Sequence, residues 1–155
     1  NIACITGWLE TDDGNQRHQG FLCALNDNNV NIPKELIFKG DYTYRKGYEG
    51  ALSLLKQDQP FTALFCGNDQ SAMSAISAIT NNGFQVPNDI SVIGYDDMNI
   101  ARYTSPPLTT VRIPFNRMAV SATRRLLNLC YNLELDINYD FPVQLIERQS
   151  VKNIG

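Results

Sequence analysis

The sequence predicts an α/β domain, a mostly parallel sheet covered by helices on both faces. Three observations predict it. Short, nearly continuous apolar runs recur, and most close on Gly, Asn or Asp. Stretches of helical spacing separate them. Apolar residues make up 43% of the 155 residues and charged residues 19%, the balance of one ordinary globular core. Apolar runs of this kind are strands buried on both faces, and helices between them impose parallel crossovers.

The elements follow in order. Ile2 to Ile5 is a strand ending at Gly7. A helix is expected from about Asn15 to Asn28, with Phe21, Leu22 and Leu25 on its inner side. Leu36-Ile37-Phe38 is the second strand, closed by Gly40-Asp41. Tyr44, Tyr48, Ala51, Leu52 and Leu55 recur at helical spacing. Ala63 to Cys66 is the third strand, ending at Gly67-Asn68-Asp69. Ala72, Ala75, Ile76 and Ile79 mark a third helix, stopped by Asn82-Gly83. Ser91 to Tyr95 is the fourth strand, and it leads into Asp96-Asp97.

The organisation changes after Asp97. Residues 98–110 carry Pro106-Pro107 and Thr109-Thr110, and are expected to be an extended connection without helix. Val111 to Pro114 reads as a short strand. Phe115, Met118, Ala119, Ala122, Leu126, Leu129 and Leu133 then form one apolar helical stripe. A last strand is expected within Phe141 to Glu147. Because Asn1 to Ile5 already reads as a buried strand, the chain is expected to be a piece of a longer protein.

Several function classes find no support. A net charge of −3 supplies no basic field for nucleic acid, so any DNA-binding element is expected outside this stretch. No apolar run is long enough for a membrane span. Cys4, Cys23, Cys66 and Cys130 form no CxxC pair, and all four are expected to be reduced and packed, which favours the cytoplasm. One histidine, His18, and no ligand cluster argue against a zinc site. His18 reads as a surface or partly packed residue. Glycine-rich phosphate loops and the GxSxG elbow are missing, so no enzyme and no cofactor are expected. Asp96-Asp97 could hold Mg²⁺, but adjacent carboxylates alone are a weak metal signal.

In open α/β sheets a ligand sits beyond the carboxyl ends of the strands. Arg17, Asp41-Tyr42, Asn68-Asp69 and Asp96-Asp97 all fall there. Carboxylates accept from hydroxyls, an amide offers both polarities, and a guanidinium donates a rigid fork, which together suit a polyol. Arg17 reads either as a ligand contact or as a solvated helix start. Asp96 reads as a ligand contact or a strand-end residue. Asp69 reads chiefly as a helix cap, and Asp12 and Asp13 as a solvated loop.

Four stretches carry a family resemblance. Arg17-His18-Gln19-Gly20-Phe21 with Ala24-Leu25 is one. Phe61 through Ala72, Val86 through Asp97, and Pro107-Leu108-Thr109-Thr110-Val111 followed by Met118-Ala119 are the others. In this order and spacing they resemble the lactose/galactose-repressor (LacI/GalR) family. Ile100 to Thr104 looks most like its galactose-repressor members.

The resemblance implies a periplasmic-binding-protein-like effector domain of two lobes. Residues 1–108 would be the C-terminal lobe, 109–137 a crossover strand and helix belonging to the other lobe, and 138–155 a return strand and tail. It implies Arg17, Asn68 and Asp96 as effector contacts, with Tyr42 lining the cleft. It also implies a homodimer paired through residues 45–56, 70–82 and 98–105, operator binding by a headpiece elsewhere, and a sugar as effector. A periplasmic sugar-binding protein for transport is the alternative, and an α/β enzyme using Asp96-Asp97 is a more distant one.

Overall fold

The computed structural model describes residues 1–153. One six-stranded sheet organises them: β1 (Ile2–Ile5), β2 (Ile37–Phe38), β3 (Ala63–Cys66), β4 (Ser91–Asp96), β5 (Thr109–Arg112) and β6 (Gln144–Ile146). Their order is β2-β1-β3-β4-β5-β6. Every pairing is parallel except β5 with β6, which is antiparallel. The expected α/β architecture is therefore what the chain adopts.

Four helices accompany the sheet: α1 (Asp12–Asp27), α2 (Tyr44–Leu55), α3 (Asp69–Asn81) and α4 (Phe115–Tyr131). Helices α2 and α3 cover one sheet face. Their buried residues Ala51, Leu54, Ala72, Ala75, Ile76 and Ile79 meet Ile5, Leu64, Cys66 and Val92 in one apolar cluster. Alternation along β3 fits this, with Leu64 and Cys66 buried and Ala63 and Phe65 half-buried. Helix α1 lies on the opposite face, where Phe21 stacks on Phe65 with ring centroids 5.1 Å apart.

Several boundaries differ from the expectation. Helix α1 starts at Asp12, because the Thr11 hydroxyl accepts from the Gly14 amide and caps it. Asp12 and Asp13 thus form a first helical turn, where carboxylates suit the helix dipole, and not a loop. Residues Asn99–Tyr103, expected to be extended, form a short 3-10 helix ahead of the prolines. A second such turn, Lys34–Leu36, shortens β2 to two residues. The stop at Asn82-Gly83 is as expected, with Gly83 at a φ of 87°. Cys4 and Cys66 are buried, but Cys23 and Cys130 are exposed, since they fall on the outer sides of α1 and α4. No helix among the described residues is long and apolar enough to cross a membrane.

Candidate functional site

The carboxyl ends of β3 and β4, and Tyr42 beyond β2, converge on Arg17. Its guanidinium Nη1 donates to the Gly67 carbonyl at 2.8 Å and to Asp96 Oδ1 at 3.0 Å. It lies 4.3 Å from the centroid of the Tyr95 ring and 5.4 Å from that of Tyr42. Nη2 stands 3.7 Å from Asp13 Oδ2, which also accepts from the Tyr42 hydroxyl at 2.8 Å. One helical arginine is thus held between two aromatic faces and two carboxylates, an arrangement that fixes the planar fork.

Local backbone chemistry brings these groups together. Arg17 sits nearly two helical turns beyond the Thr11 cap, and its side chain reaches the strand ends. Gly7 leaves room for the Tyr42 ring, which a side chain at position 7 would overlap. Tyr42 itself takes a left-handed φ of 72°. Asp96 has a φ of 116° and Asp97 a φ of 55°. Two consecutive non-glycine residues at positive φ are a costly conformation, and such strain gathers at functional positions.

Asn68 is the true cap of α3. Its Oδ1 accepts from the Ser71 amide at 2.9 Å, and its Nδ2 donates to the Tyr42 carbonyl at 3.0 Å. The capping role expected of Asp69 therefore belongs to its neighbour. Asp69, fully buried, instead accepts from the Met98 amide at 2.7 Å and from the Thr110 hydroxyl. It ties the end of β4 to β5. Arg17, Asn68, Asp96 and Tyr42 are all brought to one rim, with Asn68 reaching it through the Tyr42 backbone.

Burial pushes the Asp96 carboxyl up to about 6, against the pull of the Arg17 guanidinium. Burial and the hydrogen bond to Asp13 push the Tyr42 phenol up to about 12. Tyr42 is therefore a neutral donor at any ordinary pH. His18 stays half-buried with its Nδ1 enclosed and unpartnered, and burial holds its pKa down. It stands on the packed side of α1, in keeping with the partly packed reading.

Two open depressions flank the pair. One of about 670 Å³ is lined by Arg17 and Phe21 of α1, by Phe65 and Tyr95 of the sheet, and by Ile113 and Met118. The other, of about 460 Å³, runs from Asp96 and Asp97 to Arg112 and Phe115. Together they offer a ring-sized space with donors, acceptors and aromatic faces. Asp96 and Asp97, weighed above as a metal pair, are each engaged by guanidinium groups.

Sequence reasoning missed Asp13, Tyr95, Arg112 and Arg148. Tyr95 carried a usable signal, an aromatic immediately before Asp96 at a strand end. Arg148 carried none, because it reaches Asp97 across 51 residues of sequence.

With this fold and rim, the chain belongs to the periplasmic binding protein-like domain family, whose model matches residues 1–151. Within it the chain groups with LacI/GalR-type regulators. It is 43% identical over 152 residues to the HTH-type transcriptional repressor PurR of Photorhabdus laumondii, across 97% of this chain. It spans only 45% of that relative's length.

Among solved structures it resembles a sugar-binding LacI-family regulator from Escherichia coli complexed with phosphate. There the TM-score is 0.90 and the identity 34%, over 97% of this chain and 54% of that one. It also resembles the lac repressor dimer bound to operator and the anti-inducer ONPF. That match has a TM-score of 0.87 and 32% identity, over 97% of this chain and 52% of that one. These relatives are transcriptional regulators rather than enzymes or transport proteins.

Proposed function

We propose that this chain is the C-terminal part of the effector-binding domain of a bacterial transcriptional repressor, and that its effector is a small sugar. The carrying observation is the Arg17–Asp96 pair, 3.0 Å apart, set between the Tyr42 and Tyr95 rings at the carboxyl ends of the sheet. A sugar hydroxyl can donate to Asp96 while accepting from Arg17, and an aromatic face can cover the ring's C–H side. Asn68 orders the segment bearing Tyr42, so Arg17, Asp96 and Tyr42 make the contacts and Asn68 shapes the rim. The protein acts by binding, without catalysis and without a cofactor.

Residues 1–108 form the C-terminal lobe in this reading. Residues 109–137 cross into a second lobe, and 138–155 return; of these, the last two lie outside the described residues. The exposed stripe of α4 supports the division, with Phe115 54% and Leu129 72% exposed. Effector binding favours one lobe arrangement because it binds the two arrangements unequally. A homodimer, paired through residues 45–56, 70–82 and 98–105, then changes its grip on operator DNA through a headpiece elsewhere in the protein. Such a repressor works in the cytoplasm.

A thermal-shift screen of aldohexoses, pentoses and nucleosides on the intact protein tests the effector class. A ligand specific to the native state raises the melting temperature in proportion to the logarithm of its concentration. Stabilisation by a sugar supports the reading. Stabilisation by nucleosides alone overturns the sugar assignment while keeping the effector domain.

A further inference from the structure

Next to Asp96 stands a second carboxylate that faces away from Arg17. Asp97 is nearly enclosed, with 4% of its side chain exposed, and it meets two guanidinium groups. Arg112 Nε donates to its Oδ2 at 2.6 Å, and Arg148 Nη2 donates to its Oδ1 at 2.6 Å. Arg148 also donates to the Leu108 carbonyl at 2.7 Å through its Nη1. The Thr110 hydroxyl, which bonds Asp69, is the partner of the Asp97 amide at 3.4 Å.

Three separate chain segments therefore close on one residue: the end of β4, the strand β5, and the stretch after β6. Ser150 adds a parallel tie, its buried hydroxyl donating to the Val92 carbonyl and accepting from the Thr109 amide. These segments join the closely packed core to the arm that carries α4.

We propose that Asp97, clasped by Arg112 and Arg148, is the latch that fixes the α4-bearing arm relative to the core, and that it passes effector occupancy from Asp96 to that arm. The second clause rests on the effector reading above. One peptide unit separates the two carboxylates, and both flanking residues hold positive φ. A ligand that shifts Asp96 must move this strained unit, and the unit has Asp97 and its two arginines attached. Asp97 is a positioning residue, both of its carboxylate oxygens being taken up by Arg112 and Arg148. The two adjacent aspartates divide the work: Asp96 reads the effector, and Asp97 holds the arm.

Asp97→Asn is the incisive variant. Asparagine tolerates a left-handed backbone, so it removes the charge without adding strain. The readout is backbone hydrogen exchange of the intact protein with no ligand present, which separates the latch from the effector reading. Losing charge-assisted bonds should quicken exchange in β5 and residues 144–150 by about tenfold or more. Exchange in β1 and β3 should stay within about twofold.

Arg148→Met should match Asp97→Asn, and the double variant should be no worse than either. Arg112→Gln, at a half-exposed position, should do less. If Asp97→Asn fails to fold, Arg148→Lys keeps the charge, loses the fork, and should quicken the same segments to a smaller degree. An equal rise across β1, β3 and β5 overturns the latch, since it marks general loss of stability. No rise in β5 and 144–150 overturns it as well. A sugar screen that fails while the exchange pattern holds refutes the effector reading and leaves the latch standing.

Discussion

The two sides of the molecule follow opposite packing rules. Around β1, β3 and β4, helices α2 and α3 seal one sheet face so well that Leu54 and Leu64 are 2% and 1% exposed. On the arm after β5, helix α4 buries only Ser121, while Leu126 and Leu129 are 59% and 72% exposed. Both regions have amphipathic sequences. In the first the apolar stripe meets its partner within the described residues. In the second it faces outward, so its amphipathicity anticipates a surface beyond this fold. An apolar stripe of this size usually marks an interaction site.

The largest expected effect tests the sealed side. Leu64→Ala should cost about 2–5 kcal/mol, the range for emptying a packed leucine site, as read from urea unfolding. Next comes the rim. Asn68→Ala removes the α3 cap and should cost about 1 kcal/mol by the same measurement. It should also weaken effector binding, since Tyr42 loses the Asn68 bond to its carbonyl.

A pH titration gives a smaller effect with a definite sign. Asp96 titrates at about 6 in the fold, above its ordinary carboxylate value. The native state thus holds more protons than the unfolded state between those two values, so stability should rise as pH falls through 6. Asp69, also raised by burial, adds with the same sign. If the proposed contact with Asp96 holds, effector affinity should fall over the same interval, because that contact uses the ionised carboxylate. Melting temperatures and calorimetric titrations between neutral pH and mild acid should therefore run in opposite directions.

The smallest effect belongs to the arm. In residues 1–155 alone, Leu129→Ala should change stability by less than about 0.5 kcal/mol, as at any exposed position. A cost equal to that of Leu64→Ala would mean α4 is covered in solution, and its dependence on protein concentration would reveal self-association.

Much of the fold was legible because burial writes itself into periodicity. Ala63 to Cys66 and Ser91 to Tyr95 are apolar runs that only strands between helices explain, and the structure extends the latter by one residue, to Asp96. The α4 stripe was equally plain, though the helix ends at Tyr131 and leaves Leu133 beyond it. Hydrogen bonds made by particular side chains leave no such trace. The Thr11 cap moved the start of α1, and the exchange of roles between Asn68 and Asp69 depended on which side chain reached which amide. At the rim, Arg17, Tyr42, Asn68 and Asp96 were legible as strand-end polar groups. The grip of Arg112 and Arg148 on Asp97 was not, because no local spacing links β4, β5 and the stretch after β6.

The proposed function turns on Asp96 and Arg17 together holding a sugar. Calorimetric titration of the intact protein with the sugar that most raises its melting temperature tests it, comparing wild type with Asp96→Ala. Saturable binding to wild type and its loss in Asp96→Ala are expected, with the variant's own cooperative unfolding retained. Equal affinity in the two proteins would contradict it.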